Sequence, residues 1–319
     1  MLFLSRRDVE VLLSPLQMLD ALETGFRAYS AGETSVPPRT AARSPGGLLG
    51  AMPGWVPGHG LGLKAVSVFP GNAEKGWPSH QALIALFDEQ DGTPVCVMDG
   101  TYITAMRTAG GAAVSVRLLA RRDAATLAIL GAGVQGHAHL ATVPLVRDFT
   151  SMRVASRSRE RAEQLASLDA RCVVVDTFED AVRGADVVCC CTDAHEPVIR
   201  RGWLAPGAHV TSVGGTFGPE LDAETLQRGR VFVEWRGIAE NPPPAGAHEL
   251  QGRDPATVTE LGDVIAGVKP GRQADDEITV YKSTGIAFED VVVARMVYDA
   301  AVATGAGTNI DLNGGNHEA

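Results

Sequence analysis

Short apolar runs separated by helical patterns dominate the chain from residue 120 onward. Each run has the length of a strand that is buried on both faces. Strands that alternate with helices in this way are typical of parallel sheets with right-handed crossovers. The pattern predicts an α/β fold with a Rossmann-type, doubly wound parallel sheet. Its candidate strands are 126–130, 152–156, 171–175, 186–192, 208–213, 230–234 and 278–282.

The pattern before residue 120 is different. Ser14-Pro15-Leu16-Gln17 combines an N-cap serine with a proline at the first helical position, and helically spaced apolar residues follow it. Strands are predicted at 61–69 and within 82–99, where Asp91-Gly92 marks a hairpin turn. Residues 101–119 form a helical pattern. This region is therefore predicted to be α+β with antiparallel strands.

The last part of the chain indicates where the two domains begin and end. A helical pattern with regularly spaced apolar residues follows Lys282-Ser283-Thr284-Gly285. The predicted helix is long enough to cross back to the first domain. We therefore predict one domain from residues 1–119 together with 286–319, and a second from residues 120–285.

A glycine motif stands directly after the first strand of the predicted parallel sheet. Gly131, Gly133 and Gly136 have the spacing G-x-G-x-x-G, and a helical pattern follows them. In a dinucleotide-binding loop the first glycine permits a tight turn, the second lets a pyrophosphate approach the backbone, and the third lets the helix pack closely on the strand. The residues expected to hold the pyrophosphate are Gly131, Gly133, Val134, Gln135 and Gly136.

Composition narrows the partners. The 319 residues carry a net charge of −10, and no basic cluster stands out, so a nucleic acid or an anionic membrane is a poor candidate. No apolar run is long enough for a transmembrane helix, and the first residues lack a signal-peptide pattern, so a cytoplasmic location is expected. The five cysteines include no C-x-x-C pair, and no His/Glu spacing indicates a metal site.

The second strand of the glycine-motif domain ends without an acidic residue. An Asp or Glu at this place would accept a hydrogen bond from the ribose 2′-hydroxyl of NAD and would repel the 2′-phosphate of NADP. Serines and arginines stand there instead, and these residue types suit a phosphate dianion. We predict that NADP(H) is preferred and that NAD(H) can be used. The residues expected near the phosphate are Ser156, Arg157, Ser158 and Arg159.

Three further segments, taken in order with the glycine motif, resemble a known family. They are G-L-K at 62–64, D-G-T-Y-x-T-x-x-R-T-A at 99–109 and K-S-T-G at 282–285. Each is weak alone, but together they are similar to the ornithine cyclodeaminase/mu-crystallin family over almost the whole chain.

The resemblance implies a homodimer in which each chain has a substrate-binding and dimerisation domain and a Rossmann domain, with the active site between them. It also implies that Arg39, Lys64 and Arg107 converge on a substrate carboxylate and form the catalytic group. The chemistry of these residues agrees, because arginine binds a carboxylate with two parallel hydrogen bonds and lysine can also move a proton.

Further contacts are predicted with the substrate and with the cofactor. Met52, His80 and Thr216 are candidate substrate-binding residues, and His80 either donates to the substrate or braces its loop. The loops expected at 36–60 and 235–250 would set side-chain specificity. The remaining candidate cofactor-binding residues are Thr192, Val213, Gly214, Thr108 and Ser283.

The chain departs from the cyclodeaminase pattern at two places. The resemblance implies an acidic residue after the Gly-Gly turn and another near the Met-Pro pair, but Thr216 and Gly50 stand there. A site without these carboxylates lacks partners for the distal ammonium of ornithine. Glu220 and Asp222 remain alternatives for the first of the two acids.

The leading hypothesis is therefore an NADPH-dependent reductase of a C=N bond next to a carboxylate. Its candidate substrates are small cyclic ketimines, such as pyrroline-2-carboxylate and piperideine-2-carboxylate, or an imine formed from a 2-oxo acid and an amine. One alternative is a cyclodeaminase acting on ornithine or a related diamino acid, and another is a dehydrogenase acting on alanine or a similarly small amino acid. A protein of another class, an NADPH-gated binder of a small ligand, also remains open.

Overall fold

The computed structural model describes residues 1–215 and 218–312, and Thr216 lies outside the described residues. The chain divides into two compact units, one formed by Met1–Arg107 with Ile286–Ala319 and the other by Thr108–Gly285. We call them unit 1 and unit 2. The division falls within the helix predicted at 101–119, whereas the sequence pattern puts the domain boundary at the end of that helix.

Unit 1 is built on a seven-stranded sheet with the order β15-β1-β6-β5-β4-β3-β2. Neighbouring strands are antiparallel, except that β1 and β6 run in parallel. The strands are β1 (Leu2–Leu4), β2 (Thr40–Ser44), β3 (Gly47–Val56), β4 (Gly60–Val68), β5 (His80–Phe87), β6 (Pro94–Asp99) and β15 (Thr308–Asn309). The helices are α1 (Arg6–Leu12), α2 (Pro15–Ser30), α9 (Ala287–Thr304) and the first part of α3 (Gly100–Leu119).

The helix α9 packs directly on β3 and β4, and glycines make this approach possible. A Cβ atom on Gly54 would lie 3.2 Å from the Cβ of Ala287, and one on Gly62 would lie 2.8 Å from a methyl of Val291. A larger side chain at either position would push the helix away from the sheet.

The expectation of a loop over 36–60 is wrong for most of that segment, because β2 and β3 form an antiparallel hairpin there. Glycine and proline are typical of loops when only the local sequence is considered. In β3, however, Gly54 is an interior strand position that is small because a helix covers it. The reason lies in tertiary packing, which the local pattern does not contain.

Unit 2 contains an all-parallel, eight-stranded sheet with the order β13-β12-β14-β11-β10-β7-β8-β9, which confirms the predicted doubly wound fold. The order reverses between β7 and β10, where ligands bind in such sheets. The strands are β7 (Thr126–Leu130), β8 (Ser151–Ala155), β9 (Cys172–Val174), β10 (Val187–Cys190), β11 (His209–Ser212), β12 (Arg230–Val233), β13 (Thr259–Glu260) and β14 (Thr279–Lys282). The helices are α4 (Val134–Thr142), α5 (Arg159–Ala166), α6 (Phe178–Val182), α7 (Ala223–Arg228) and α8 (Leu261–Ile265).

The residues of β10, including Cys189 and Cys190, are fully buried in this sheet. Burial raises the pKa of the Cys189 thiol to about 12, so the cysteine run is part of an apolar core. Within residues 1–215 and 218–312 we find no group of metal-ligating side chains and no helix that could cross a membrane.

Candidate functional site

The glycine loop after β7 has the geometry of a dinucleotide-binding turn. Gly131 has a φ of 103°, and a Cβ there would lie 2.5 Å from the Cys191 carbonyl oxygen. A Cβ on Gly136 would overlap the Gly131 carbonyl oxygen, whereas one on Gly133 meets nothing within 4 Å. The first and third glycines are therefore required by the loop itself, and the second leaves the open space that a pyrophosphate would need.

The helix that follows this loop offers its first amides to an anion. The N-cap of α4 is Gly133, which has no side chain with which to cap the helix. Val134 in its first turn is exposed, and the buried side-chain oxygen of Gln135 has no hydrogen-bond partner in the described part of the chain. Uncapped amides and the helix dipole favour a phosphate group at this end. The residues present thus fit a dinucleotide.

The predicted phosphate-binding turn after β8 is basic, but its members are already engaged. Ser158 is the N-cap of α5 and accepts a hydrogen bond from the Arg161 amide at 3.3 Å. Arg159 pairs with Asp176 and with a glutamate on its own helix. Arg157 pairs with Asp193 at 3.0 Å while its side chain remains 82% exposed. Because exposed pairs of this kind are weak, Arg157 is the member best able to turn toward a ligand.

The Ser156 hydroxyl, directly after β8, accepts a hydrogen bond from the Ser158 amide at 3.3 Å. This contact shapes the turn. No carboxylate follows β8 directly, as the sequence indicates, although Asp176 and Asp193 both reach the turn from other segments.

A buried carboxylate, Glu220, joins the loops that follow β10 and β11. Its Oε1 accepts hydrogen bonds from the amide and the hydroxyl of Thr192 at 2.8 and 2.6 Å. Its Oε2 accepts from the Ser212 hydroxyl at 2.7 Å and from the Gly214 amide at 2.8 Å. Thr192 and Gly214, two of the predicted cofactor contacts, are thus joined through one carboxylate at the carboxyl end of the sheet. Val213, a third, lies between Ser212 and Gly214 in the chain.

A buried lysine, Lys282, completes this edge. Its ammonium donates hydrogen bonds to the Ser212 hydroxyl and the Gly214 carbonyl, both at 2.8 Å, and pairs with Glu249 at 3.0 Å. The register places Ser212 beside Lys282 on neighbouring parallel strands. The sequence drew attention to Lys282 only as part of a motif and gave no sign of Glu249.

This geometry answers the question of the missing acid. Glu220 is fully buried, and both its oxygens are used within the network. Asp222 is the N-cap of α7 and accepts from the Thr225 amide at 3.0 Å. The other oxygen of Asp222 accepts from the Arg201 amide at 3.1 Å, so both carboxylates serve the fold of unit 2.

The other two predicted cofactor residues are buried in unit 2. The Ser283 hydroxyl, directly after β14, accepts a hydrogen bond from the Gly285 amide at 3.2 Å. Thr108 lies in α3 and is buried. Ser283 is therefore at the same carboxyl edge as Thr192 and Gly214.

In unit 1, Lys64 points toward the covered face of the sheet. It stands on β4 between Met52 of β3 and Ile84 of β5, and it is only 3% exposed. Its ammonium forms an ion pair with Asp290 of α9, Nζ to Oδ2, at 2.7 Å. A lysine held among apolar strand neighbours is unusual, and its burial is tolerated because of this partner.

Arg107, on α3, reaches the same place from another element. Its Nε donates to Asp290 Oδ1 and its Nη1 donates to Glu289 Oε2, both at 3.1 Å. Lys64, Arg107, Glu289 and Asp290 therefore form one buried cluster, which we call the charge cluster. The structure brings Lys64 and Arg107 together on the Asp290 carboxylate, and the two acidic residues of α9 are members of the cluster that the sequence reasoning missed.

Burial and the neighbouring charges set the protonation of this cluster. Burial lowers the pKa of Lys64 to about 8 in spite of the attraction of Asp290. Burial also raises the pKa of Glu289, against the pull of Arg107. For Asp290 burial acts in the same upward direction, but Lys64 and Arg107 together bring its pKa below the ordinary value.

Two further candidates lie near Lys64. Arg39 is half-buried, and its charge contributes to the lowered pKa of Lys64. His80 begins β5, has its Nδ1 3.1 Å from the Ser79 hydroxyl, and keeps part of its surface exposed. Partial desolvation and the charge of Lys64 lower the pKa of the His80 ring. Arg39 and His80 are thus within electrostatic reach of the charge cluster.

Known proteins are similar to this chain over both unit 1 and unit 2. Residues 1–305 match the ornithine cyclodeaminase/mu-crystallin family. Ketimine reductase mu-crystallin of Mus musculus is 37% identical over 310 residues, which cover 93% of this chain and 96% of that protein. A Thermococcus litoralis Δ1-pyrroline-2-carboxylate reductase solved with NADH and L-proline is 33% identical with a TM-score of 0.91, covering 97% of this chain and 100% of that one.

An archaeal alanine dehydrogenase, solved as a dimer with bound NAD, is 31% identical with a TM-score of 0.88 over 98% of this chain and 99% of that one. The matches span both units and extend over nearly the full length of each relative. The chain therefore belongs to the ornithine cyclodeaminase/mu-crystallin family.

Proposed function

We propose that this protein is an NADPH-dependent reductase of a C=N bond next to a carboxylate. The observation that carries the proposal is the charge cluster, in which a lysine with a pKa of about 8 and an arginine are held together in a buried place. The relatives named as ketimine reductase and pyrroline-2-carboxylate reductase support the same reaction class. The substrates we propose are cyclic imino acids such as pyrroline-2-carboxylate and piperideine-2-carboxylate, or the imine of a 2-oxo acid and an amine.

The cofactor would be held by unit 2. The open backbone at Gly133 and the uncapped start of α4 would take the pyrophosphate, and the edge that contains Thr192 and Gly214 would border the rest of the molecule. A bound reduced nicotinamide supplies a hydride. The relatives solved with NADH or NAD support a nicotinamide cofactor.

The residues of unit 1 would bind the substrate and move its proton. Arg107 and Arg39 would fix the carboxylate and so orient the adjacent imine carbon. Lys64, which remains mostly protonated at neutral pH and has lost part of its proton affinity to burial, would donate the proton to the imine nitrogen. Met52, beside Lys64 in register, would form an apolar wall for the ring.

The preference for the 2′-phosphate form is part of the proposal. Its support is the turn after β8, where no acid directly follows the strand and where Arg157 is exposed and pairs with Asp193. The ratio of kcat/KM for NADPH to that for NADH should exceed one in the wild type and should fall about tenfold in Arg157→Ala. An unchanged ratio in that variant would remove Arg157 from the phosphate site.

We also propose that the protein is a homodimer. Leu49, Leu61 and Leu83 lie on the face of the unit 1 sheet opposite to Lys64, and all three are exposed. A second copy is the proposed cover for this face, since an archaeal relative is described as a dimer. Light scattering should give twice the chain mass for the wild type and the chain mass for Leu61→Asp combined with Leu83→Asp. A monomeric wild type would contradict the proposal.

The alanine dehydrogenase and cyclodeaminase alternatives can be separated from the imine reductase by assay. An alanine dehydrogenase would need the same carboxylate clamp, and an archaeal relative carries that name. A cyclodeaminase would need an additional acid for a distal ammonium, and Glu220 is committed to unit 2.

The deciding experiment measures NADPH oxidation with pyrroline-2-carboxylate, piperideine-2-carboxylate and pyruvate plus ammonia, with ammonia release from ornithine measured in parallel. Rapid oxidation with a cyclic imine or with pyruvate plus ammonia, and no ammonia from ornithine, is the expected result, and oxidation with pyruvate plus ammonia alone would identify the alanine dehydrogenase. Lys64→Met should lose at least about 100-fold in kcat. Ammonia release without net NADPH oxidation would instead identify a cyclodeaminase, and NADPH binding without turnover would identify a binder.

A further inference from the structure

Two acidic residues at the start of α9 hold the cations of the charge cluster. Asp290 pairs with both Lys64 and Arg107, and Glu289 pairs with Arg107. We propose that Asp290 is a positioning residue that fixes the Lys64 ammonium and the Arg107 guanidinium as one preformed site for an imino acid. The inference rests on the proposed function and extends it, because Asp290 would not bind the substrate itself but would hold Lys64 and Arg107 in the positions that bind it.

The geometry distinguishes Asp290 from a simple ion-pair partner. Its two oxygens are divided, so that Oδ1 accepts from Arg107 at 3.1 Å and Oδ2 pairs with Lys64 at 2.7 Å. The cations come from β4 and α3, and Asp290 comes from α9, so one side chain joins three elements of unit 1. Asp290 is only 1% exposed, and a buried carboxylate with two such bonds has little freedom to move.

The neighbouring acid has a different task. Glu289 holds one nitrogen of Arg107, but the same oxygen, Oε2, also accepts a hydrogen bond from the Ile286 amide at 2.9 Å, at the start of α9. Within residues 1–215 and 218–312, Glu289 makes no ion pair with Lys64. Glu289 therefore caps the helix and steadies Arg107, whereas Asp290 is in direct contact with both cations.

The electrostatic consequence of this contact can be worked out from the groups that face Lys64. Asp290 on α9 raises its proton affinity, while burial, Arg107 on α3 and Arg39 lower it. The Lys64 charge also acts on His80 of β5 and on Glu289 of α9. If Asp290 were neutral, only Glu289 would oppose the cations, and Lys64 would lose its proton at a lower pH.

The chain makes this directly measurable, because it has four lysines, at 64, 75, 269 and 282. Protein labelled with ¹³C at the lysine ε carbon should give four signals, and the signal missing from Lys64→Met is that of Lys64. In the wild type this signal should titrate with a midpoint near 8. In Asp290→Asn the midpoint should fall by about one unit or more. The control is Asp299→Asn, in an exposed pair with Arg295 on the same helix, and it should leave the midpoint unchanged.

This titration needs no substrate, so it tests Asp290 even if the protein reduces none of the proposed imino acids, an outcome that would overturn the proposed function alone. An unchanged Lys64 midpoint in folded Asp290→Asn, checked by near-ultraviolet circular dichroism, would overturn the inference. In kinetic assays with pyrroline-2-carboxylate, the high-pH limit of kcat should move toward lower pH in Asp290→Asn. A role confined to folding would not move that limit.

A second variant keeps the inference testable if Asp290→Asn does not fold. Asp290→Glu retains the charge but is longer by one methylene, so it displaces the carboxylate. The Lys64 midpoint should stay close to the wild-type value, while kcat/KM for pyrroline-2-carboxylate should fall by about tenfold or more because the two cations are misaligned. Wild-type kcat/KM in Asp290→Glu would show that the position of this carboxylate is unimportant and would overturn the inference.

Discussion

Exchanging the second glycine of the dinucleotide loop for alanine should separate cofactor binding from folding. Gly133 has an ordinary φ of −91°, and a Cβ there meets no atom within 4 Å. As the substitution is at a helix N-cap, it should cost less than about 1 kcal/mol of stability. A methyl group in the space of the pyrophosphate should raise the Kd for NADPH by about ten- to a hundredfold, which is roughly 1.4–2.8 kcal/mol.

Gly136→Ala should instead lower the stability of the fold, because its Cβ would overlap the Gly131 carbonyl oxygen and lie 3.2 Å from Leu165. Overpacking of this kind costs about 1–3 kcal/mol, equivalent to a drop in Tm of roughly 3–10 °C. The matched control for Gly133→Ala is Gly202→Ala in the short 3₁₀ helix Arg201–Trp203 of unit 2, where a Cβ also meets nothing within 4 Å. Thermal unfolding and fluorescence titration with NADPH measure both quantities. Gly133→Ala with wild-type NADPH affinity would refute the cofactor assignment of this loop.

Two further predictions follow from the buried groups. Since the pKa of Lys64 is lowered to about 8, imine reduction, which uses the protonated ammonium, should slow above pH 8. Amino-acid oxidation, which uses the neutral amine, should become faster above the same pH. Profiles of rate against pH in both directions test this prediction, and parallel profiles would contradict it. Glu220→Gln leaves two of the donors around Glu220 without an acceptor and should lower the free energy of unfolding in urea by about 2–4 kcal/mol. The exposed Glu224→Gln is its control, and equal values for the two variants would mean that the network carries no stability.

The parallel sheet of unit 2 could be predicted from sequence because the relevant signals are local. A strand such as β10 is buried on both faces and therefore consists of a short continuous apolar run. Gly131 needs a positive φ and Gly136 faces the Gly131 carbonyl oxygen. Both requirements arise within the turn itself, so the glycine spacing was sufficient even though Cys191 also approaches Gly131. The boundaries differ from the predicted ones by a residue or two at several strand ends, where pairing with a neighbour decides which residue is last.

The hairpin of β2 and β3 and the charge cluster could not be predicted in the same way, because both depend on α9, which lies far along the chain. Gly54 is small because Ala287 covers it, and Lys64 is buried because Asp290 pairs with it. A signal for the second case was nevertheless present. Glu289 and Asp290 stand between Phe288 and three consecutive valines, and two adjacent acids inside an apolar helix require buried partners.

The turn after β8 shows a different limit of sequence reasoning. Its residue types suit a phosphate, but Ser158 also has the form of a helix N-cap and Arg159 can pair along α5. The same local sequence therefore fits both uses, and the structure assigns both residues to the helix and its ion pairs. Of the turn's two arginines, Arg157 is the more exposed, and it is the one that carries the proposed preference for NADPH.

The charge balance of the unit 1 site favours an anionic substrate over a diamine. Lys64 and Arg107 are opposed by Asp290 and Glu289, and the raised pKa of Glu289 makes its negative charge the easier one to lose. Arg39 adds a further positive charge within reach of Lys64. The site therefore tends toward an excess of positive charge, which a carboxylate neutralises and an additional ammonium increases. The two acids already hold the cations, so recruiting either of them to a distal ammonium would release Lys64 or Arg107 from the arrangement on which the proposed reduction depends.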